Sequence, residues 1–288
     1  VPHCVNCDVS LTYHKYHNQL VCHYCGYTIQ LPPHCPECQS TELKMMGFGT
    51  EKVEEEIASL FPSAKVERLD FDTARTRTAY ERIISDFEKG KTQILIGTQM
   101  LSKGLDFGNV SVVGILNADN LMNYPDFRAH ERAFQLMVQV SGRAGRRDKR
   151  GTVVLQTSQP EHPLIRMVQH FAYKEMVRLQ LSERSMFRYP PYYRLIVLVL
   201  RSRNESVLQE LSVIYAEKLH ARLGERVLGP VTPPVTRVQT LHIKKIVLKI
   251  EIAAAIAPVR EILEAVHSEM QRYLPFRQLL VHYDVDPA

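Results

Sequence analysis

The sequence has no long apolar run and no cysteine beyond position 38, and each absence excludes a class of protein. The stretch LIVLVL, Leu195 to Leu200, has the length of a strand and is far shorter than the roughly 20 apolar residues that a membrane-spanning helix needs. All six cysteines lie in the first 38 residues, which is unlike a disulfide-stabilised scaffold. No export or transit signal is visible, so we expect a cytoplasmic protein whose thiolates bind metal.

A strong net charge and a Walker A motif are also missing. The formal charge of +5 permits an anionic partner but does not require one. No G-x-x-x-x-G-K-[ST] stretch occurs, so the usual backbone cradle for nucleotide phosphates is absent from the sequence. The chain does have an ordinary globular composition, with 45% apolar and 23% charged residues, and enough length for two or three domains.

The cysteines form three C-x-x-C pairs, which are Cys4/Cys7, Cys22/Cys25 and Cys35/Cys38. Each pair presents two thiolates on one side of a tight turn. The 14 residues between Cys7 and Cys22 suit a hairpin that closes a tetrahedral four-cysteine site. The first two pairs therefore predict zinc, with redox-active or free thiols as the alternative.

The third pair, Cys35/Cys38, has no partner pair left in the chain. Nearby histidines are one way to complete a second site, and a cysteine pair upstream of residue 1 is another. We favour the upstream pair, because a histidine beside a cysteine is more often a surface residue. The chain opens on VPHC, within the cysteine pattern, so we expect a fragment of a longer protein that carries half of a second zinc site.

From about residue 45 to 182 the pattern alternates between strands and helices. TQILIGTQ, SVVGILNAD and GTVVLQTSQ have the character of strands, and DFRAHERAFQLMVQVS and PLIRMVQHFAYKEMVRLQL that of helices. This alternation predicts an α/β domain whose parallel sheet is covered by helices on both faces. In such a domain, ligands bind at the carboxyl ends of the strands.

Two polar segments lie where such a sheet binds ligands. IGTQMLSKGLDF, Ile96 to Phe107, follows a strand and offers small polar side chains, a glycine and an aspartate. QVSGRAGR, Gln139 to Arg146, places two arginines on a glycine-rich turn, and two fixed guanidinium groups suit a polyphosphate. The second pattern is the more specific, because several positions must coincide.

These two segments resemble motifs V and VI in the second RecA-like lobe of superfamily 2 helicases. With the paired cysteines, GFGTEKVEEEI and ERLDFDT, they resemble the primosomal protein N′ family of replication-restart DNA helicases over essentially the whole chain. The resemblance implies a zinc-binding region over residues 1–44, a RecA-like lobe over 45–182 and a C-terminal domain over 183–288. It also implies that the first two cysteine pairs complete one zinc site and that Cys35/Cys38 pair with upstream cysteines.

The resemblance implies a role for the arginine segment in ATP hydrolysis. Arg143 and Arg146 would reach the γ-phosphate of an ATP·Mg²⁺ held by the other motor lobe, with Gln139 positioning them. Gly104 and Asp106 match the G-x-D of motif V, which couples the nucleotide to DNA.

The resemblance also implies contacts to the DNA backbone, from Gly49, Thr50, Thr98, Gln99 and Lys103. Gly49 and Thr50 belong to a G-T-E motif in which a backbone amide at a helix start holds a phosphate. For Glu51, the third residue of the motif, an acid that serves the helix dipole is an equal alternative.

From residue 183 the order is β-α-β-β-α-β, which is the split, ferredoxin-like arrangement. Lys244 and Lys245 lie in the basic strand HIKKIVLKIEI, which is either a track for DNA phosphates or an edge strand protected by lysines. The resemblance implies that this domain binds forked or single-stranded DNA and contacts the single-stranded DNA-binding protein and other primosome proteins.

The combined prediction is the C-terminal part of an ATP-dependent 3′→5′ DNA helicase that restarts replication and is inactive alone. A stand-alone zinc-containing nucleic-acid-binding module is one alternative, although such a module needs no paired arginines. A lobe of another superfamily 2 translocase is the second, and the cysteine pairs and the β-α-β-β-α-β tail argue against it.

Overall fold

A computed structural model describes residues 1–14, 18–35, 37–42, 49–98, 101, 107–145 and 151–287. The chain divides into two compact units, one of residues 1–43 with 183–288 and the other of residues 44–182. The cysteine-rich region and the C-terminal region thus share a unit although they are far apart in sequence. In the part of the chain described, no helix has both the length and the apolar character that crossing a membrane requires.

The cysteine-rich region is built on a small antiparallel sheet. Its strands pair in the order β1 (Thr12–His14), β2 (Gln19–Val21) and β3 (Thr28–Gln30). The buried side chains of Leu11 and Leu20 pack against the sulfur-bearing side chains of this region. The sheet therefore serves as the scaffold for the first two cysteine pairs.

The unit of residues 44–182 has four described strands in two parallel pairs. β4 (Val66–Leu69) pairs with β5 (Ile94–Gly97), and β6 (Val112–Ile115) pairs with β7 (Thr152–Leu155). Helices precede β4, lie between β4 and β5 and between β6 and β7, and follow β7: α1 (Thr50–Leu60), α2 (Arg77–Glu88), α3 (Asp119–Met122), α4 (Ala129–Ser141), α5 (Pro163–Gln169) and α6 (Tyr173–Met186). The parallel pairing and the helices between paired strands confirm the α/β prediction for this region.

The segment PLIRMVQHFAYKEMVRLQL was predicted as one helix, and this prediction is wrong because the segment forms α5 and α6. Phe171 has a φ of 51°, in the left-handed region. The N–H of Ala172 donates to the carbonyl of Met167 (2.8 Å) and that of Phe171 to Val168 (3.2 Å). These bonds form a Schellman ending, whose left-handed residue is usually glycine. A phenylalanine there leaves no signal in the sequence.

The C-terminal region is an α+β sandwich of one antiparallel sheet and two long helices. Its elements are β8 (Tyr193–Ser202), α7 (Glu205–Leu223), β9 (Val227–Val231), β10 (Arg237–Val238), β11 (Leu241–Glu251), α8 (Ile256–Met270) and β12 (Leu280–Val285). The strands lie in the order β10-β11-β8-β12, and β9 also pairs with β11. Apart from the short β10, the elements follow the predicted order.

The helices and one face of this sheet share a single core. Tyr215 and Leu219 of α7 are fully buried together with Ile246 and Leu248 of β11. The hydroxyl of Tyr215 lies 2.7 Å from that of Tyr283, so its polar end is satisfied inside the core. Because side chains alternate along a strand, the odd-numbered residues of β11 lie on the face away from this core.

Gly97 ends β5 in a position that excludes a side chain. A Cβ there would lie 2.5 Å from the carbonyl oxygen of Leu69 and 2.7 Å from Leu101 Cδ1. We expect Gly97→Ala to push β5 away from β4 and to lower the free energy of unfolding by about 1–3 kcal/mol, as overpacking does. Urea unfolding followed by circular dichroism measures the loss.

The matched control is Gly114→Ala on β6, where a Cβ meets no atom within 4 Å. We expect this variant to be neutral or slightly more stable, because alanine loses less backbone entropy than glycine. Equal destabilisation by the two substitutions would contradict the steric role of Gly97.

Candidate functional site

Four sulfur atoms form a candidate metal centre. The Sγ atoms of Cys4, Cys7, Cys22 and Cys25 all lie within 4.8 Å of one another. The Sγ atoms of Cys4 and Cys25 are 3.5 Å apart. A tetrahedral site with Zn–S bonds of about 2.3 Å separates its sulfurs by roughly 3.8 Å. The four ligands therefore already have nearly the spacing that a zinc ion requires.

In each of these two cysteine turns, backbone N–H groups approach the first sulfur. The nitrogen of Asn6 lies 3.4 Å from Cys4 Sγ. At Cys22, burial opposes ionisation, but the N–H groups of Tyr24 and Cys25 outweigh it and the pKa falls to about 7. The turns thus supply hydrogen bonds that stabilise bound thiolates.

Ionisation of the Cys7 thiol is less favourable than that of Cys22. Burial raises the pKa of its thiol to about 12, and the backbone N–H of Gln239 opposes that rise only in part. The Gln239 nitrogen lies 3.3 Å from Cys7 Sγ. At neutral pH such a thiol ionises only when a cation compensates its charge, and a divalent ion that prefers thiolates does so. The donor set therefore fits Zn²⁺.

Cys35 and Cys38 form a third turn of the same design. The N–H of Cys35 donates to the carbonyl of Ser40 (2.8 Å), and that of Gln39 donates to the carbonyl of Cys35 (2.9 Å). The N–H groups of Cys38 and Glu37 lower the pKa of Cys35. No third His, Cys, Asp or Glu among the described residues groups with this pair, which therefore offers two ligands.

The arginine segment begins on α4 and continues into a turn. Gln139 is exposed near the end of the helix, and Arg143 is half-buried just beyond it. Gly145 has a φ of 75°, and its N–H donates to the carbonyl of Val110 (3.0 Å), which fixes the turn beside the start of β6. Arg146 lies outside the described residues.

The loop after β5 is described only at its ends. Thr98 is exposed immediately after the strand, and its carbonyl accepts a hydrogen bond from the N–H of Leu101 (3.1 Å). The other predicted residues of this loop lie outside the described residues, namely Gln99, Lys103, Gly104 and Asp106.

A carboxylate that the sequence reasoning missed holds the start of α1. Asp70 accepts hydrogen bonds from the Thr50 hydroxyl (2.5 Å) and from the N–H groups of Asp72 and Thr73 (both 3.0 Å). Its Oδ2 also lies 2.8 Å from Arg68 Nε. Burial favours the neutral acid, but these donors outweigh it and lower the pKa of Asp70. Asp followed three residues later by Thr, as in DFDT, is the sequence signal of such a turn.

The same network occupies two side chains of the G-T-E motif. The Thr50 hydroxyl is used by Asp70, and the Glu51 carboxylate lies 3.2 Å from Arg68. Gly49, the residue before α1, contributes no side-chain cap. The first backbone N–H groups of α1 are therefore the groups of this motif suited to an anion.

The structure does not bring Lys244 and Lys245 to one face of the sheet, because consecutive residues of a strand point to opposite faces. Lys244 donates from Nζ to the Thr232 hydroxyl (2.9 Å). Lys245 shares its face with Lys249, whose Nζ lies 3.7 Å from the centre of the Tyr189 ring. A phosphate track on this strand would therefore use Lys245 and Lys249, or Lys244 alone.

Three protein families match this chain. Residues 4–29 match the PriA DNA helicase Cys-rich region (CRR) domain, residues 38–148 the helicase conserved C-terminal domain, and residues 185–288 the primosomal protein N C-terminal domain. Over its whole length the chain is 38% identical to the replication restart protein PriA of Bacillus subtilis (strain 168). The chain belongs to the PriA family.

Two further PriA proteins are similar to most of the chain. Replication restart protein PriA of Synechocystis is 41% identical over 82% of the chain, and that of Haemophilus influenzae is 38% identical over 82%. The chain spans 36% of the length of the Bacillus relative, 29% of the Synechocystis one and 33% of the Haemophilus one. All four ligands of the candidate metal centre lie within the match to the PriA cysteine-rich region.

Removing one ligand of the four-cysteine centre tests the metal assignment. We expect Cys22→Ser to abolish tight zinc binding, because three thiolates cannot complete the site. Cys38→Ser should leave that zinc in place, since Cys38 is exposed and outside the cluster. Metal content after dialysis, measured by mass spectrometry, distinguishes the two. Equal loss of the metal from both variants would contradict the assignment.

The lowered pKa of Asp70 predicts a pH-dependent stability of the lobe. The contribution of the Asp70 carboxylate to the free energy of unfolding is fully present above its unfolded-state pKa of about 3.9. It is lost as the pH falls through the lower folded-state pKa. We expect Asp70→Asn to be less stable at neutral pH and to lose less stability on acidification. Thermal unfolding between neutral and acidic pH measures both effects. Glu81→Gln on exposed α2 is the control, and an identical pH profile in both variants would refute the role of Asp70.

Proposed function

We propose that this chain supplies the second motor lobe, the zinc-binding region and the C-terminal domain of an ATP-dependent 3′→5′ DNA helicase that restarts replication. The observation that carries the proposal is the occurrence of the three family matches, in order, in one chain. The full-length protein binds forked and single-stranded DNA and hydrolyses ATP with Mg²⁺. Since this chain has no Walker A motif, it does not hydrolyse ATP alone.

The proposed role of the arginine segment is to complete an ATP site whose other half belongs to the first motor lobe. As the γ-phosphoryl group is transferred to water, negative charge spreads over its oxygens, and the guanidinium groups of Arg143 and Arg146 stabilise that charge. Gln139 helps to position them. Two observations support this role: Gln139 is exposed, and the hydrogen bond of Gly145 holds the turn beside the start of β6.

The proposed DNA-binding surface of the lobe combines the loop after β5 and the start of α1. Gly104 and Asp106 couple the nucleotide to DNA, and Thr98, Gln99 and Lys103 contact the DNA backbone. The exposure of Thr98 at the carboxyl end of β5 supports this assignment, because parallel sheets bind ligands at that edge.

At the start of α1, the backbone N–H groups after Gly49 hold a phosphate. Thr50 and Asp70 keep that helix end in place beside β4. The Thr50 hydroxyl therefore acts through positioning, and the backbone makes the contact to DNA.

Each of the three regions of the chain has a proposed fold class and role. The parallel pairs and the helices between paired strands support a RecA-like lobe over 45–182. The pairing of β9 with β11, β11 with β8 and β8 with β12 supports a ferredoxin-like domain over 183–288. Residues 1–44 form the zinc-binding region, with one complete four-cysteine site and a half site at Cys35/Cys38. The C-terminal domain contacts forked DNA through Lys244 on one face of β11 and Lys245 on the other. It also contacts the single-stranded DNA-binding protein and other primosome proteins in the cytoplasm.

The test is ATP hydrolysis and fork unwinding by the full-length protein that contains this segment. We expect Arg143→Ala and Arg146→Ala each to reduce DNA-stimulated kcat by at least 10-fold, toward the roughly 10³-fold effect of arginine fingers, with little change in DNA binding. Arg132→Ala on α4, whose side chain is 48% exposed beside Asp126, is the matched control and should behave as wild type. Full activity of both variants would remove these arginines from the mechanism.

A further inference from the structure

The turn between β10 and β11 has a backbone conformation that its two residues disfavour. Val238 pairs with Leu241, so Gln239 and Thr240 form a two-residue hairpin loop. Their φ values are 50° and 66°. Two positive φ values are typical of a type I′ turn, in which Asn-Gly is the preferred pair. A β-branched threonine in this region is an outlier, and such strain persists only where the surroundings impose it.

The surroundings of this turn are the first cysteine pair. The N–H of Gln239 donates to Cys7 Sγ (3.3 Å), and the N–H of Thr240 donates to the carbonyl of Asn6 (2.7 Å). Asn6 in turn donates its own N–H to Cys4 Sγ (3.4 Å). Both strained residues thus direct their backbone N–H groups at the Cys4–Cys7 turn.

Further contacts fix the hairpin on the cysteine-rich region. The N–H of Asp8 donates to the carbonyl of Arg237 (2.9 Å), and the Thr236 hydroxyl donates to the Asp8 carboxylate (2.6 Å). The side chain of Val238 packs on the apolar cluster that contains Cys4, Cys7 and Cys22. The hairpin therefore contacts the cysteine-rich region through backbone and side-chain hydrogen bonds and through one apolar contact.

The N–H of Gln239 differs from the other backbone donors to the cysteine sulfurs, because it comes from a distant part of the chain. Cys4 and Cys22, the first residues of their C-x-x-C pairs, receive N–H groups from their own turns. Cys7, a second residue, receives its backbone N–H from Gln239, which lies 232 positions away. Hydrogen bonds from outside the ligand set orient metal ligands, and their loss typically weakens metal affinity about 10–100-fold.

We propose that the Gln239–Thr240 turn is an outer part of the metal site. It positions Cys7 for a thiophilic divalent ion, Zn²⁺ or Cd²⁺, and the metal-loaded cysteine turn in return holds the hairpin in its strained conformation. Because linkage is reciprocal, any effect of the hairpin on metal affinity equals the effect of metal on hairpin docking. Metal loading thereby controls whether the β10–β11 hairpin, at the edge of the C-terminal sheet, stays docked on the cysteine-rich region.

The first test compares metal affinities by competition with a chromophoric chelator, using Zn²⁺ and Cd²⁺. Gln239→Pro removes the N–H donor and the positive φ, and we expect it to weaken binding about 10–100-fold. The matched variant Q239N/T240G keeps both N–H groups in the turn that this pair prefers, and it should bind at least as tightly as wild type. Wild-type affinity in Gln239→Pro would overturn the proposal, as would a large loss in Q239N/T240G.

The second test needs no substitution and stands even if Gln239→Pro fails to fold. Hydrogen exchange of the wild-type protein is measured with Zn²⁺ bound and after its removal by a chelator. We expect the N–H groups of Gln239 and Thr240 to lose protection on removal, while those of Leu198 and Leu200 in the middle of β8 keep theirs. Unchanged protection at the turn would show that the hairpin is independent of the metal and would overturn the proposal.

Discussion

Four sulfur atoms within 4.8 Å of one another, three of them on buried cysteines, cannot all be ionised unless a cation lies among them. This constraint organises the unit formed by the two ends of the chain. The sheet of the cysteine-rich region is small, with three strands of three residues each, and its apolar cluster includes the cysteines themselves. The candidate metal ligands are therefore also part of the apolar core of this region.

The same site joins segments that are distant in sequence. The hairpin at Gln239 reaches the first cysteine pair through backbone groups, so the contact depends little on which side chains occupy the turn. On the other side of the hairpin, β11 runs through the C-terminal sheet and into its core. The cysteine-rich region and the C-terminal domain thus share a continuous path of strand pairing and hydrogen bonds.

In the unit of residues 44–182, neighbouring backbone and side chains hold the ends of the segments that carry the predicted site residues. Gly97 ends β5 without space for a side chain, Gly145 ties the arginine turn to Val110, and Asp70 anchors the start of α1. Gly97 and Asp70 lie at the carboxyl ends of β5 and β4, where a parallel sheet presents its ligand-binding residues, whereas the Gly145 turn lies beside the start of β6. In the proposed helicase, such anchors keep the ATP and DNA contacts in register with the sheet.

The sequence by itself determined the family, most of the order of strands and helices and the four candidate metal ligands, because C-x-x-C spacing and hydrophobic periodicity are local patterns. It failed at Phe171, where a left-handed residue without glycine ends α5, and it grouped Lys244 with Lys245, which the strand turns to opposite faces. Only the tertiary structure decided that Asp70 holds Thr50 and that Gln239 reaches Cys7. Those contacts join residues that are distant in the chain through hydrogen bonds and backbone angles, and no local pattern encodes them.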